Sequence, residues 1–158
     1  MPSNSTLDAK HHINAKIASY NGVNTAGNGV PVIVAQERVT GQTAAVASIA
    51  AYTVGANDST FEVSANVLVT TATTHSFTLT CAYTDEGNSA RTLTLTFGLV
   101  AGGVTTTAVA NGNGTVPYHG VPVTIRCKAA TSITIASAAG GTYTTVVYNA
   151  EGIIKQVA

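Results

Sequence analysis

Between Phe61 and Val67 apolar and polar side chains alternate at every step, as Phe61-Glu62-Val63-Ser64-Ala65-Asn66-Val67. A strand sends successive side chains to opposite faces, whereas a helix brings its apolar stripe round about every 3.6 residues. The same two-residue period recurs from Ser76 to Tyr83, where Phe77, Leu79, Cys81 and Tyr83 oppose Ser76, Thr78 and Thr80. It returns in Arg91–Phe97, with Leu93, Leu95 and Phe97 against Thr92, Thr94 and Thr96. Val121, Val123, Ile125 and Cys127 share a face in the next such run, and Ile133 and Ile135 in the one after. Strands written this way bury one face each, and that face must be covered by a second layer.

Composition agrees. Thr supplies 26 residues, Val 19 and Gly 15, while the helix formers Leu, Glu and Lys are scarce. Asp85-Glu86-Gly87-Asn88 has the chemistry of a hairpin turn between two alternating runs. Gly102-Gly103, Asn111-Gly112-Asn113-Gly114 and Gly140-Gly141 punctuate the rest, and Thr142–Asn149 and Ile153–Val157 read as closing strands. The pattern predicts an all-β fold, an antiparallel β-sandwich or jelly roll over residues 40–158.

Residues 1–39 are different and read as an extended N-terminal arm. They hold Lys10, Lys16 and Arg38 among the seven basic residues, and the adjacent pair His11-His12. Leu7, Ile13 and Ile17 could mark a turn or two of amphipathic helix, and Asn21–Asn28 a polar linker. Val30-Pro31-Val32-Ile33-Val34 reads as a short strand that Pro31 confines to a sheet edge. The expected attachment residues of this arm are Leu7, Ile13, Ile17, Val30, Val32 and Ile33.

Charge limits the function. Only 9% of residues are charged, against about 25% in an average domain, and seven basic residues balance seven acidic ones. Such a chain offers no electrostatic footprint for nucleic acid or an anionic membrane. No apolar run approaches the roughly 20 residues of a membrane-spanning helix. Met1-Pro2-Ser3-Asn4-Ser5-Thr6 lacks the basic and apolar regions of a secretory signal, so synthesis in a reducing compartment is expected.

The chemical candidates are few. His11 and His12 point in different directions on a helix or a strand, so one metal could take both only awkwardly, short of a symmetric oligomer. Asp85, Glu86 and Asn88 offer oxygens without the full spacing of a calcium loop. Cys81 and Cys127 fall on apolar strand faces and are expected as buried free thiols rather than a bridge or a nucleophile. His75 and His119 lack the Ser or Cys motif of a triad, and the Gly-rich stretches lack the Lys of a phosphate loop. No catalytic residue, metal site or cofactor is expected. Tyr52, Tyr118, Tyr143 and Tyr148 could be interface anchors or sugar platforms, with the core as the plainer destination.

A family resemblance enters with particular stretches. Phe61–Thr71, His75-Ser76-Phe77-Thr78, Tyr83–Asn88, Gly120–Ala129 and Tyr148-Asn149-Ala150-Glu151-Gly152 resemble a group of short tailed-phage virion proteins, over roughly residues 30–158. Their domain is similar to the trimeric jelly roll of complement-type and tumour-necrosis-factor-like heads. The resemblance implies a homotrimer packed through apolar and Thr-rich strand faces, and it assigns no catalytic residue. No collagen-like stalk or coiled-coil heptad precedes the domain, which favours a capsid decoration protein or a short head fibre over a long tail fibre. The expected function is therefore a non-enzymatic structural role on the virion surface, after synthesis in the host cytoplasm. Its partners would be copies of itself and a major capsid or other virion protein. The alternative is a receptor- or carbohydrate-binding tip that uses a loop with Asn111, Asn113, Tyr118 and His119 against host-surface polysaccharide. A polysaccharide-degrading enzyme would need paired carboxylates across a groove, for which seven acidic residues leave little material.

Overall fold

The computed structural model describes residues 31–71, 74–100, 104–107, 110–113, 115, 117–138 and 146–157. At 74–77, 99–100, 104–107, 110–113 and 138 it describes the backbone alone. The expected arm residues Leu7, His11, His12, Ile13, Ile17 and Val30 lie outside the described residues, as does Tyr143.

Strands β1 (Val32–Gln42), β2 (Ala50–Thr53), β3 (Ser59–Val69), β4 (Thr74–Thr84), β5 (Ala90–Leu95) and β6 (Phe97–Val100) are followed by β7 (Val104–Thr107) and β8 (Ala110–Asn113). After these come β9 (Pro117–Gly120), β10 (Val123–Cys127), β11 (Ser132–Ala138) and β12 (Tyr148–Gln156), and no described residue is helical. A seven-stranded sheet runs β1-β12-β3-β9-β6-β7 with β10 also on β3, and a five-stranded sheet runs β2-β11-β4-β5 with β8 on β4. Every pairing is antiparallel. Treated as one run, β9 and β10 complete the order β1-β12-β3-β9/β10 in one sheet, against β2-β11-β4-β5 in the other. Each layer thus alternates early and late strands, as the interlocked Greek keys of a jelly roll require. The fold is an all-β antiparallel sandwich.

The alternating sequence decides which face goes inward. Phe61, Val63, Ala65, Val67 and Val69 of β3 are all buried, and so are Leu79 and Cys81 of β4 and Ile133 and Ile135 of β11. The hairpin is where the turn chemistry places it, with Thr84 opposite Ala90 and Leu79 opposite Leu95. Asp85 Oδ1 accepts from Ser89 N at 2.9 Å and Oδ2 from Arg91 Nε at 2.7 Å, while Asn88 takes a left-handed φ of 63°. These bonds to the anion hold the Asp85 carboxyl below its ordinary range.

Two features depart from a plain reading of the runs. The Arg91–Phe97 alternation is two strands, because the chain leaves one sheet at Leu95 and joins the other at Phe97. Both side chains are fully buried, since either sheet faces the same core. At the C-terminal end, Tyr148–Gln156 is one strand in the middle of its sheet, paired with β1 on one side and β3 on the other. It threads through Ala150-Glu151-Gly152, which lie between the two runs Thr142–Asn149 and Ile153–Val157 of the sequence. A Cβ on Gly152 would lie 2.8 Å from the Ala50 Cβ of the opposite sheet and 3.4 Å from Ile135. The missing side chain lets the two sheets close here.

Polar groups inside this layer are satisfied. Tyr148 is buried and its hydroxyl donates to the Ala44 carbonyl at 2.7 Å, with Ser137 Oγ at 3.1 Å. Ser137 Oγ also accepts from Val46 N at 2.6 Å. Together they tie the segment before β2 to β11 and β12.

Candidate functional site

The outward faces of the two sheets differ in chemistry. On the five-stranded sheet, two rows of registered neighbours run Ala51–Thr134–Ala82–Thr92 and Ala136–Thr80–Thr94. Thr53, Ser132, Thr78, Thr84 and Ala90 complete the face, and every described outward position on β2, β11, β4 and β5 is Thr, Ala or Ser. No charged side chain stands on it among the described residues. Short side chains lose little rotamer freedom when covered, and flat rows of them pack closely.

The charges stand elsewhere. On the outward face of the seven-stranded sheet Lys155 Nζ meets Glu62 Oε1 at 3.2 Å, and Arg126 pairs with Glu86 at the hairpin tip. The Arg126–Glu86 pair is largely solvent-exposed and the Lys155–Glu62 pair about one-third exposed, so each adds little to stability.

The same face holds a shallow cavity of about 250 Å³ over β1, β12, β3 and β9. Its outward rim comes from two registered rows: Arg38–Glu151–Asn66, and Asn149–Leu68–Pro117. His119 stands beside them, and backbone of Val67, Tyr118 and Ala150 forms the floor between. Hydrogen bonds fix the side chains. Glu151 accepts from Gln36 Nε2 at 2.8 Å and from Asn66 Nδ2 at 3.4 Å. Asn66 Oδ1 accepts from Gly120 N at 3.0 Å, and Asn149 Oδ1 from Gly41 N at 2.9 Å. Gly41 can reach Asn149 because β1 bulges between Val39 and Gln42, with Gly41 at a left-handed φ of 63°.

A second bulge sets the far wall. Tyr118 pairs with Val67 and Val123 with Val63, so the run from β9 to β10 carries one more residue than β3 opposite it. Over that stretch His119 and Gly120 turn to pair with Gly98 and Phe97 of β6.

The expected ligand loop is not assembled as such. Tyr118 is 1% exposed and packs edge-on against Phe97 at 5.7 Å, so its ring is a core element and not a platform. This corrects the reading of Tyr118 as a ligand-facing residue. The inward register that β9 takes from its pairing with Val67 is the physical reason. Asn111 and Asn113 lie in β8, opposite Ser76 and Thr74 in the other sheet, whereas His119 lines the cavity and Tyr118 meets it only through the backbone of its floor. Val32 and Ile33 sit in β1 opposite Gln156 and Lys155, at the sheet edge, with Ile33 54% exposed. β1 therefore runs across the expected boundary at residue 40 as an ordinary strand of the seven-stranded sheet.

Neither cysteine is bonded. Cys81 and Cys127 are buried free thiols on facing sheets. Burial pushes the Cys81 thiol up to about 12 and Cys127 to about 11, and ionising one would oppose ionising the other. Both are expected to resist a thiol reagent at pH 8 in the folded protein and to react fully once unfolded. Fast labelling of the native chain at pH 8 would contradict this burial. Because the folded values lie above the ordinary 9.0, the contribution to stability is complete below pH 9 and declines as pH rises from there toward 12. The Asp85 oxygens are already engaged by Ser89 and Arg91, and among the described residues no group of three or more His, Cys, Asp and Glu side chains could hold a metal.

Comparison with known proteins adds little. No protein-family model and no curated protein matches the chain. Among solved structures it is similar to the CBM22-1–GH10 modules of the Clostridium thermocellum N-terminal endo-1,4-β-D-xylanase 10B in complex with xylohexaose. The TM-score is 0.33 at 10% identity, over 81% of this chain and 25% of that one.

Proposed function

We propose that the chain is a non-enzymatic structural protein of a phage virion surface, a capsid decoration or short head-fibre subunit that assembles with copies of itself. The carrying observation is the outward face of the five-stranded sheet, whose described positions are all Thr, Ala or Ser. A free surface of this extent normally carries charge, because charged residues favour hydration and discourage association. The described charges instead crowd onto the other face and the turns. The occupant best matched to an uncharged flat face is the same face, or another face, of an identical neighbour. The virion setting and the threefold symmetry come from the family resemblance, and the N-terminal segment, residues 1–39, would serve for attachment.

Light scattering on the purified full chain should give an oligomer, a trimer if the resemblance carries through. Thr80→Lys, in the middle of the face, should release monomers while the far-ultraviolet spectrum stays that of a β protein. Buried charge without a partner is strongly unfavourable at an interface, whereas Lys on a solvated strand face is tolerated. A wild-type monomer at all concentrations, or an oligomer indifferent to Thr80→Lys, would remove the basis for this assembly.

A further inference from the structure

On the face opposite the proposed interface, the cavity over β12 and β3 has an imbalance in its hydrogen-bonding groups. Its side-chain oxygens are each engaged at least once: Glu151 Oε1 by Gln36 and Oε2 by Asn66, Asn66 Oδ1 by Gly120, and Asn149 Oδ1 by Gly41. Its donors are not. No described residue pairs with the Arg38 guanidinium, and the Asn149 amide N–H2 has no partner among the described residues. A site that keeps a guanidinium and an amide N–H2 without partners while its oxygens are engaged favours a ligand rich in acceptors. Arg38 presents a planar fork suited to a carboxylate.

The remaining lining is apolar. Leu68 is 40% exposed, one of only two large exposed hydrophobic side chains among the described residues, and the exposed Pro117 is its registered neighbour. An aliphatic pair beside fixed polar groups matches a sugar ring, which offers a C–H face and an edge of hydroxyls. The volume of about 250 Å³ lies just below the range of drug-sized ligand pockets, about 300–1,000 Å³, and suits a single ring unit with neighbours outside.

We propose that this cavity binds a carboxylate-bearing saccharide, such as a uronic acid unit of an acidic polysaccharide. Arg38 takes the carboxylate, Asn149 and His119 meet ring oxygens, and Leu68 and Pro117 lie under the ring. The site is independent of the assembly proposed above, because its rim stands on the other sheet. Its residues come from β1, β3, β9 and β12.

The test is an NMR titration of the full-length protein with a short oligogalacturonate, with a neutral oligosaccharide of matching length and sodium acetate as the comparison ligands. Oligogalacturonate should shift the amides of Arg38, Leu68, His119 and Asn149, and added salt should weaken it. Arg38→Gln should weaken binding about tenfold or more, the effect of losing a charge-assisted pair, with the rest of the spectrum unmoved. Shifts of equal size with the neutral sugar, or with acetate alone, would overturn the saccharide-carboxylate assignment. So would no shift with any ligand, or an unaltered response in Arg38→Gln.

Discussion

Gly120→Ala is expected to lose more than about 3 kcal/mol of stability, or to prevent folding, although it adds a single methyl group at a half-exposed position. An added Cβ would overlap the Ala65 carbonyl oxygen and lie 2.7 Å from the Ala65 nitrogen. Both are backbone atoms of a fully buried residue in β3, which is held by β12 on one side and by β9 and β10 on the other. A side chain can swing away from an intruding methyl, but a central strand cannot. Moving the intruding segment instead would break the Gly120 N–H bond to Asn66 and the neighbouring Val121 N–H bond to the Thr96 carbonyl at 2.9 Å. Urea unfolding of Gly120→Ala beside Gly55→Ala makes the comparison, because nothing lies within 4 Å of a Cβ built at Gly55. Gly55→Ala should be close to neutral. Equal, small losses in both would show that β9 does not cross β3 as closely as described.

Gly120 also marks how far the sequence could be read. The alternating runs identify the inward residues with little ambiguity, because a period of two admits one buried face. Phe61, Val63, Ala65 and Val67 are inside for that reason, as are Ile125 and Cys127. The period cannot say which sheet a run belongs to. Leu95 and Phe97 continue one alternation across Thr96 while belonging to different layers, since both layers bury the same core. Nor does it survive a bulge: the extra residue between Tyr118 and Val123 disguised Tyr118 as part of a loop when it continues a strand inward. The cavity was invisible for another reason. Arg38, Asn66, Leu68, Asn149 and Glu151 are spread over three strands, and only the pairing of β12 with both β1 and β3 sets them side by side. The bare face of the five-stranded sheet was half visible, as Thr and Ala at alternate positions. That it extends without a charge across β2, β11, β4 and β5 follows from strand order, which local pattern does not encode.

Gly152→Ala should cost about 1–3 kcal/mol, the usual range for overpacking a filled core, and Ala50→Gly should recover part of it. The built Cβ meets the Ala50 Cβ at 2.8 Å, so the two positions compete for one space between the sheets. Ala50→Gly alone should be destabilising as well, through a small cavity and a more flexible unfolded chain in β2. The double variant should then be more stable than the sum of the two single losses implies. A coupling of about 0.5 kcal/mol or more in that direction is what direct contact requires. Strict additivity would mean that the sheets do not approach at this pair. The consequence reaches the outer surfaces, because β12 carries Asn149 and Glu151 outward on the same strand that carries Gly152 inward. A wedge between the sheets at Gly152 tilts that strand, so Gly152→Ala should also weaken oligogalacturonate binding. Ala50→Gly in the double variant should restore that binding together with stability.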